Sequence, residues 1–469
     1  MLINQCADAF TQNKAWKAGR DLAFGALNCM GKRTLTGMIT ASGHQFIDWS
    51  SVYRLFSRQR IDVSRCFDVA RTNILKELTT QDSIVAHMDD TILKKTGLKV
   101  PGTAWRRDPL GPPFQTNFIW GQRFLQISMA LPDQPGCCQS RAIPVDFHHC
   151  PTAKRPRRND NQQQWQDYRE QQKKLKLSKK GVERLWELRT RLDNNGAGEK
   201  QLIVSVDGSY TNEAVLKKLP KGVTLIGRIR KDTKLYLPAV NQVGSGRKKI
   251  YGQQLPTPEL IRLSDDYPWQ EVDAWAAGRM HKFNVKVIKS LKWRSAGPNS
   301  TLQLMVIRPL GYRLTKSSKK IYREPAYLIC TDNDLDIQKL LQDYLWRWEI
   351  EVNFRDEKTL LGCGQAQVRH PQSVERVPAF ITAIYSLLHL AAHRSLKESN
   401  QNLLPRPKWY PKKEGQRHTT RDLINNIKAQ AWVRSIGINF SGFVNSEIKT
   451  QSRKNNSNPC TSAMFYMRN

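Results

Sequence analysis

The chain has 469 residues, enough for two to four domains with a sizeable core. Its 75 Lys and Arg exceed its 41 Asp and Glu by 34 and are spread through KRPRR, KKLKLSKK, RIRKDTK and GRKK, so the expected partner is a polyanion, most simply nucleic acid. No apolar run reaches the roughly 18 residues needed to span a bilayer, no charged leader precedes an apolar core, and nine irregularly spaced cysteines suit reduced thiols, so no membrane association and a cytoplasmic location are expected. Cys137, Cys138, His148, His149 and Cys150 are zinc-ligand types, but three of them are consecutive and no CxxC knuckle is present, so a zinc site is not expected.

Residues 1–80 read as helical, with amphipathic pieces at 15–27, 31–41, 50–56 and 63–78. Basic and aromatic residues interleave there (Lys17, Arg20, Trp49, Tyr53, Arg54, Arg58), which suits a DNA-contacting module or, more plainly, a helical domain with a basic surface. At residue 83 the texture changes: IVAHMD predicts a strand ending at Asp89 and Asp90, before the sequence breaks into TILKKTG. Strands follow at 118–131 and 142–147, then a basic helix over 161–192 closed by DNNGAGEK. QLIVSVDGSY predicts a buried strand at 202–206 with Asp207 at its carboxyl end, and a helix (212–219) and the strand VTLIGRI complete an alternating α/β pattern. Residues 234–333 are mostly strand-like and read as a β-rich insertion, with the core resuming over 334–398. The last stretch, 399–469, turns polar and is expected to serve dimerisation or to be partly disordered, above all around NNSNPC.

YLWRWEIEVNFRDEK places Tyr344, Arg347, Glu351 and Lys358 at offsets 0, +3, +7 and +14 on a helix expected to be capped by TDND. At about 100° per residue the four fall within about 60° of one another, with Leu341, Leu345, Trp348 and Val352 beside them. That face is either a cleft wall or a solvated stripe of i,i+4 pairs, Arg347 with Glu351 and Glu351 with Arg355. Trp348 reads as core packing, with a base contact by it or Trp346 as the alternative.

Three carboxylate positions stand out: Asp89 or Asp90 at one strand end, Asp207 at another, and Glu351 on the helix. Acids at the carboxyl ends of neighbouring strands face one crevice, where two of them 4 Å apart repel by about 4 kcal/mol at an effective dielectric of 20. A hard divalent cation, Mg²⁺ or Mn²⁺, removes that repulsion and supports phosphoryl transfer. Asp89 is preferred to Asp90 as the first ligand, because Asp90 points to the other face if the strand continues.

The spacing Tyr344, Arg347, Glu351, Lys358 resembles the YREK signature of the DDE transposases in the insertion-sequence-four group. Asp89-Asp90-Thr91 and the VDGSY around Asp207 resemble that group's first and second acidic motifs, and 234–333 its inserted β subdomain. The resemblance implies an α/β fold with an RNase H-like mixed sheet flanked by helices, interrupted by the β-rich insertion and preceded by a helical domain. It implies Asp89, Asp207 and Glu351 as catalytic metal ligands, with Asp90 adjacent, and Tyr344, Arg347 and Lys358 as DNA contacts near Trp348 and Arg355. It also implies a nucleoid-associated enzyme, dimeric in its DNA complex, that cuts double-stranded transposon ends and joins them to target DNA. A nuclease of the same fold without strand transfer, and an inactive relic that binds DNA, are the alternatives.

Overall fold

A computed structural model describes residues 2–435 except 45, 47, 109–110, 113, 135–137, 240–247, 314–316 and 399–416. In chain order, a 3₁₀ turn is followed by α1 (Asn13–Asn28), α2 (Leu35–Ala41), α3 (Ser50–Ser57), α4 (Val63–Glu77), β1 (Ser83–Lys94), β2 (Ala104–Arg107), β3 (Phe118–Pro132) and β4 (Ser140–His149). Next come α5 (Gln162–Lys174), α6 (Leu177–Leu192), β5 (Gln201–Val206), α7 (Glu213–Leu216), β6 (Val223–Arg228), β7 (Tyr236–Pro238), β8 (Tyr251–Gln254), α8 (Pro258–Leu263), β9 (Gln270–Ala276) and β10 (Arg279–Leu291). The chain continues through β11 (Leu302–Ile307), β12 (Gly311–Tyr312), β13 (Ile321–Tyr322), β14 (Ala326–Cys330), α9 (Ile337–Leu345), α10 (Trp348–Thr359), α11 (Pro371–Glu398) and α12 (Thr420–Ser435). The residues group into two compact units, one of Met1–Ala70, Leu93–Gly121 and Asn353–Asn469, the other of Arg71–Ile92 and Gln122–Val352.

The first unit is mainly helical. Gly25 lets α1 and α2 approach, since a Cβ there would stand 2.1 Å from the Met38 carbonyl. Lys95 is buried and donates from Nζ to the carbonyls of Gly364 (2.7 Å) and Ala366 (3.0 Å), while Arg33 donates from its backbone to Gln365 (2.7 Å); both tie down the loop after α10. Within this unit β2 also pairs with residues 118–121 of β3.

The second unit is built on one mixed sheet, ordered β4–β3–β1–β5–β6–β14–β11–β10–β9. β1, β5 and β6 are parallel, and their near-continuous apolar runs are buried, as strands covered on both faces require. Four strands of the 234–333 stretch extend this sheet from β6 in antiparallel register, whereas β7–β8 and β12–β13 make two small ribbons of their own. On one face of the sheet Ile203, Ile226, Phe283, Val285, Met305 and Leu328 form a core with Leu340 and Leu341 of α9.

Four local expectations need correction. β1 does not stop at the acid pair but runs on to Lys94. The basic helix over 161–192 is two helices, parted at Leu175 and Lys176, with Asn161 forming a capping box with Gln164. The cap of α9 is Asp336, whose side chain accepts from the Lys339 amide, and not TDND. The continuous helix over 344–358 is broken: Trp346 and Arg347 form a tight turn with i→i+3 bonds from Arg347 to Tyr344, Glu349 to Trp346 and Ile350 to Arg347. Tertiary ties hold the break, the Trp346 indole donating to the Cys138 carbonyl at 2.8 Å while Arg347 is engaged by carboxylates. The break resets the helical phase, so Trp348 is 60% exposed and Ile350 takes the buried position. The expectations for the tail lie largely outside the described residues, which resume only over 417–435.

Candidate active site

The parallel register of β1 and β5 pairs His87 with Ser205 and Met88 with Val206, so Asp89 and Asp207 come next at equivalent positions. Asp89 is on β1, and Asp207 begins the loop after β5. That loop is shaped by its own side chains: Asp207 accepts from the Ser209 amide (2.9 Å) and hydroxyl (3.1 Å), Thr211 donates back to the Asp207 carbonyl (2.9 Å), and Asn212 caps α7. Gly227 makes room for Thr211, since a Cβ there would meet its hydroxyl at 2.1 Å.

The face that carries Asp89 is covered by α9 and the turn after it, with the Ser205 hydroxyl donating to the Asp343 carbonyl at 3.0 Å. From the turn, Arg347 reaches back and donates to Asp89 Oδ2 (3.1 Å) and Glu351 Oε1 (3.1 Å). One guanidinium therefore bridges two of the three acids, in a setting where its own side chain is only 15% exposed. Burial, and then the neighbouring Asp207 carboxylate, raise the Asp89 carboxyl to about 7, against the opposing pull of Arg347. The fully buried His87, on the same face two residues earlier, is pushed down to about 3 by burial and by Arg347, and neither ring nitrogen has a hydrogen-bond partner. It was not singled out in the sequence, although a histidine inside an otherwise apolar strand, two positions from an acid, marks that face.

Asp90 points the other way, as alternation along a continuing strand demands. Its carboxylate accepts from the Tyr210 hydroxyl at 3.0 Å and pairs with Arg123 of β3 at 3.2 Å. Tyr210 is fully buried beneath α6, where Gly181 leaves space for its ring. Asp90 thus ties β1, β3 and the Asp207 loop together behind the sheet, away from Asp89. Neither Tyr210 nor Arg123 was a candidate in the sequence, though Tyr210 stands within the VDGSY motif.

Tyr344 is half-buried against the α9 core, with the Arg347 guanidinium 5.9 Å from its ring centroid. Lys358 and Arg355 belong to the first unit. There burial lowers Lys358, which sits 5.9 Å from the Phe354 ring centroid, and Arg355 is exposed and pairs with Asp356 at 2.9 Å. Among the described residues no three His, Cys, Asp or Glu side chains form a ready metal cage, either at the three acids or around Cys138, His148, His149 and Cys150; Cys137 lies outside them. No helix is long and apolar enough to cross a membrane.

Residues 5–297 match the family described as DDE superfamily endonuclease. The chain belongs to that superfamily. The match includes Asp89 and Asp207 and ends before α9, so Glu351 and Arg347 rest on geometry alone. No curated protein matches the chain. DDE endonucleases act on DNA with divalent metal ions, and the mixed sheet flanked by helices is the RNase H-like architecture of such a nuclease. The donor set fits a hard cation. Asp89 and Asp207 offer carboxylate oxygens, near enough that the Asp207 charge raises the Asp89 carboxyl, and a positive charge already sits between Asp89 and Glu351.

Proposed function

We propose that this DDE endonuclease is a DNA transposase of the insertion-sequence-four group, with Asp89, Asp207 and Glu351 as its catalytic carboxylates. The observation that carries the reading is the Arg347 bridge, which joins the acids of β1 and α10, with Asp207 of the β5 loop near enough to act on the Asp89 carboxyl. Mg²⁺ or Mn²⁺ held by these three would activate a water or a 3′-hydroxyl and stabilise the leaving oxygen. The chain's own residues do the rest. Asp89 must lose its proton before it can ligate, and Arg347 must leave the carboxylates, for which a DNA phosphate is the natural new partner because the guanidinium fork matches its oxygens. Tyr344 hydrogen-bonds a phosphate beside it, and Lys358, Arg355 and the exposed Trp348 extend the DNA contacts. Asp90 is reassigned from ligand to strut on the strength of its bonds to Tyr210 and Arg123.

On this reading residues 1–80 bind DNA, 81–233 and 334–398 form the catalytic core, 234–333 are the β-rich insertion, and 399–469 contribute to a dimer that holds two ends at the nucleoid. Incubated with Mg²⁺ and a duplex bearing the element's own terminal repeat, the purified protein should nick at the end and join it to a second DNA. Glu351→Gln should abolish both while leaving duplex binding in place, since the basic surface is unchanged. Cleavage by E351Q at the parent's rate would refute the site. The family description names an endonuclease, which favours a nuclease without strand transfer as the second reading; failure to join precut ends would select it.

A further inference from the structure

In the first unit β2 and the start of β3 form a two-stranded ribbon with an unusual outer face. The register sets Trp105 opposite Trp120 and Arg107 opposite Phe118, and the two-residue period places all four on one side. Trp105 is 64% exposed and Phe118 61%, whereas Arg106, on the opposite side, is buried. The Trp105 and Trp120 rings meet edge to face at 5.5 Å, and the Trp120 indole is fixed by donating to the Gly97 carbonyl at 3.2 Å. Lys99, exposed in the loop that precedes the ribbon, adds positive charge to its surroundings, while Lys94 pairs with Asp108 at 3.7 Å just past β2.

Exposing two large rings side by side is unfavourable in water and calls for a partner. A purely apolar partner would not explain Arg107, which stands on the same face as the rings, or the lysines nearby. Duplex DNA presents phosphates and base edges, so it would use the cations and leave the rings uncovered. An unpaired strand presents both phosphates and free base faces, which stack on aromatic rings whatever their sequence.

We propose that the β2–β3 ribbon is a binding site for single-stranded DNA, with Trp105 and Phe118 stacking bases and Arg107 holding the backbone between them. The site needs neither the carboxylates nor a cation, so it stands or falls apart from the cleavage reading.

The test measures fluorescence anisotropy of the full chain in a chelator, using a labelled oligothymidylate of about 16 nucleotides and a fully paired duplex of equal length. Trp105→Ala should weaken binding of the single strand on the order of tenfold, and Phe118→Ala should do likewise. Trp105→Phe should retain most of it, and duplex affinity should stay within about twofold. Unchanged single-strand binding by W105A and F118A, or an equal loss on the duplex, would overturn the proposal. So would a W105A protein that sediments as a smaller species and binds the oligonucleotide as before, because the face would then be an interface between copies.

Discussion

Asp89 offers a quantitative handle on the metal site. With its carboxyl raised to about 7, a ligand oxygen is available in about one molecule in eleven at pH 6 and about ten in eleven at pH 8. A divalent ion must displace that proton, so its apparent affinity should fall about tenfold between pH 8 and pH 6, with nearly one proton released per ion at the lower pH and little at the higher. His87 contributes nothing to this window, because it is held neutral with a value of about 3. Mn²⁺ is the useful probe: free Mn²⁺ is counted by electron paramagnetic resonance without any turnover, and proton release is followed in weak buffer. Asp89→Asn should bind more weakly and lose the pH dependence. Equal Mn²⁺ affinity at pH 6 and pH 8 in the parent protein would refute the combination of a raised carboxyl and its place among the ligands.

The same carboxyl should govern stability in the absence of metal. An acid whose folded value lies above its unfolded one stabilises the fold below the unfolded value, here 3.8, and that contribution is lost as pH rises through the folded value of about 7. D89N should therefore raise the stability of the chelated protein more at pH 8 than at pH 5, by about 2 to 3 kcal/mol, read as a larger gain in Tm at the higher pH. Tyr210→Phe removes one of the partners of Asp90 and should lower stability by about 1 to 3 kcal/mol while also weakening Mn²⁺ binding, since the Asp207 loop loses its tie to β1. Denaturation and Mn²⁺ binding both indistinguishable from the parent would show that the strut positions nothing.

Much of the sheet was legible in the sequence because its signals are local. The apolar runs before Asp89 and Asp207 mark buried parallel strands, and the acids follow those runs in matching register. What escaped notice depends on distant partners. Nothing near Trp346 signals that its indole will bond a carbonyl at residue 138, so the break in the helix, and with it the outward turn of Trp348, could not be read from a 3.6-residue period. The persistence of β1 past Asp90 is likewise a matter of pairing and not of propensity, and it separates two consecutive acids into a ligand candidate and a strut. Arg347 was legible as a member of the charged face but not as the bridge between Asp89 and Glu351, because its partner on β1 lies 258 residues away.

If Asp89 and Glu351 hold the cation as proposed, that bridge makes Arg347 a tethered competitor for its place. Because the guanidinium is attached to the same short segment as Glu351, it is present at a high local concentration whatever the ionic composition outside. A monovalent ion brings the same single charge with no such advantage and should leave the bridge in place even at cellular potassium levels, whereas a divalent ion brings twice the charge. On that assignment the tether would act as a threshold on ion valence, set by the protein before any nucleic acid arrives.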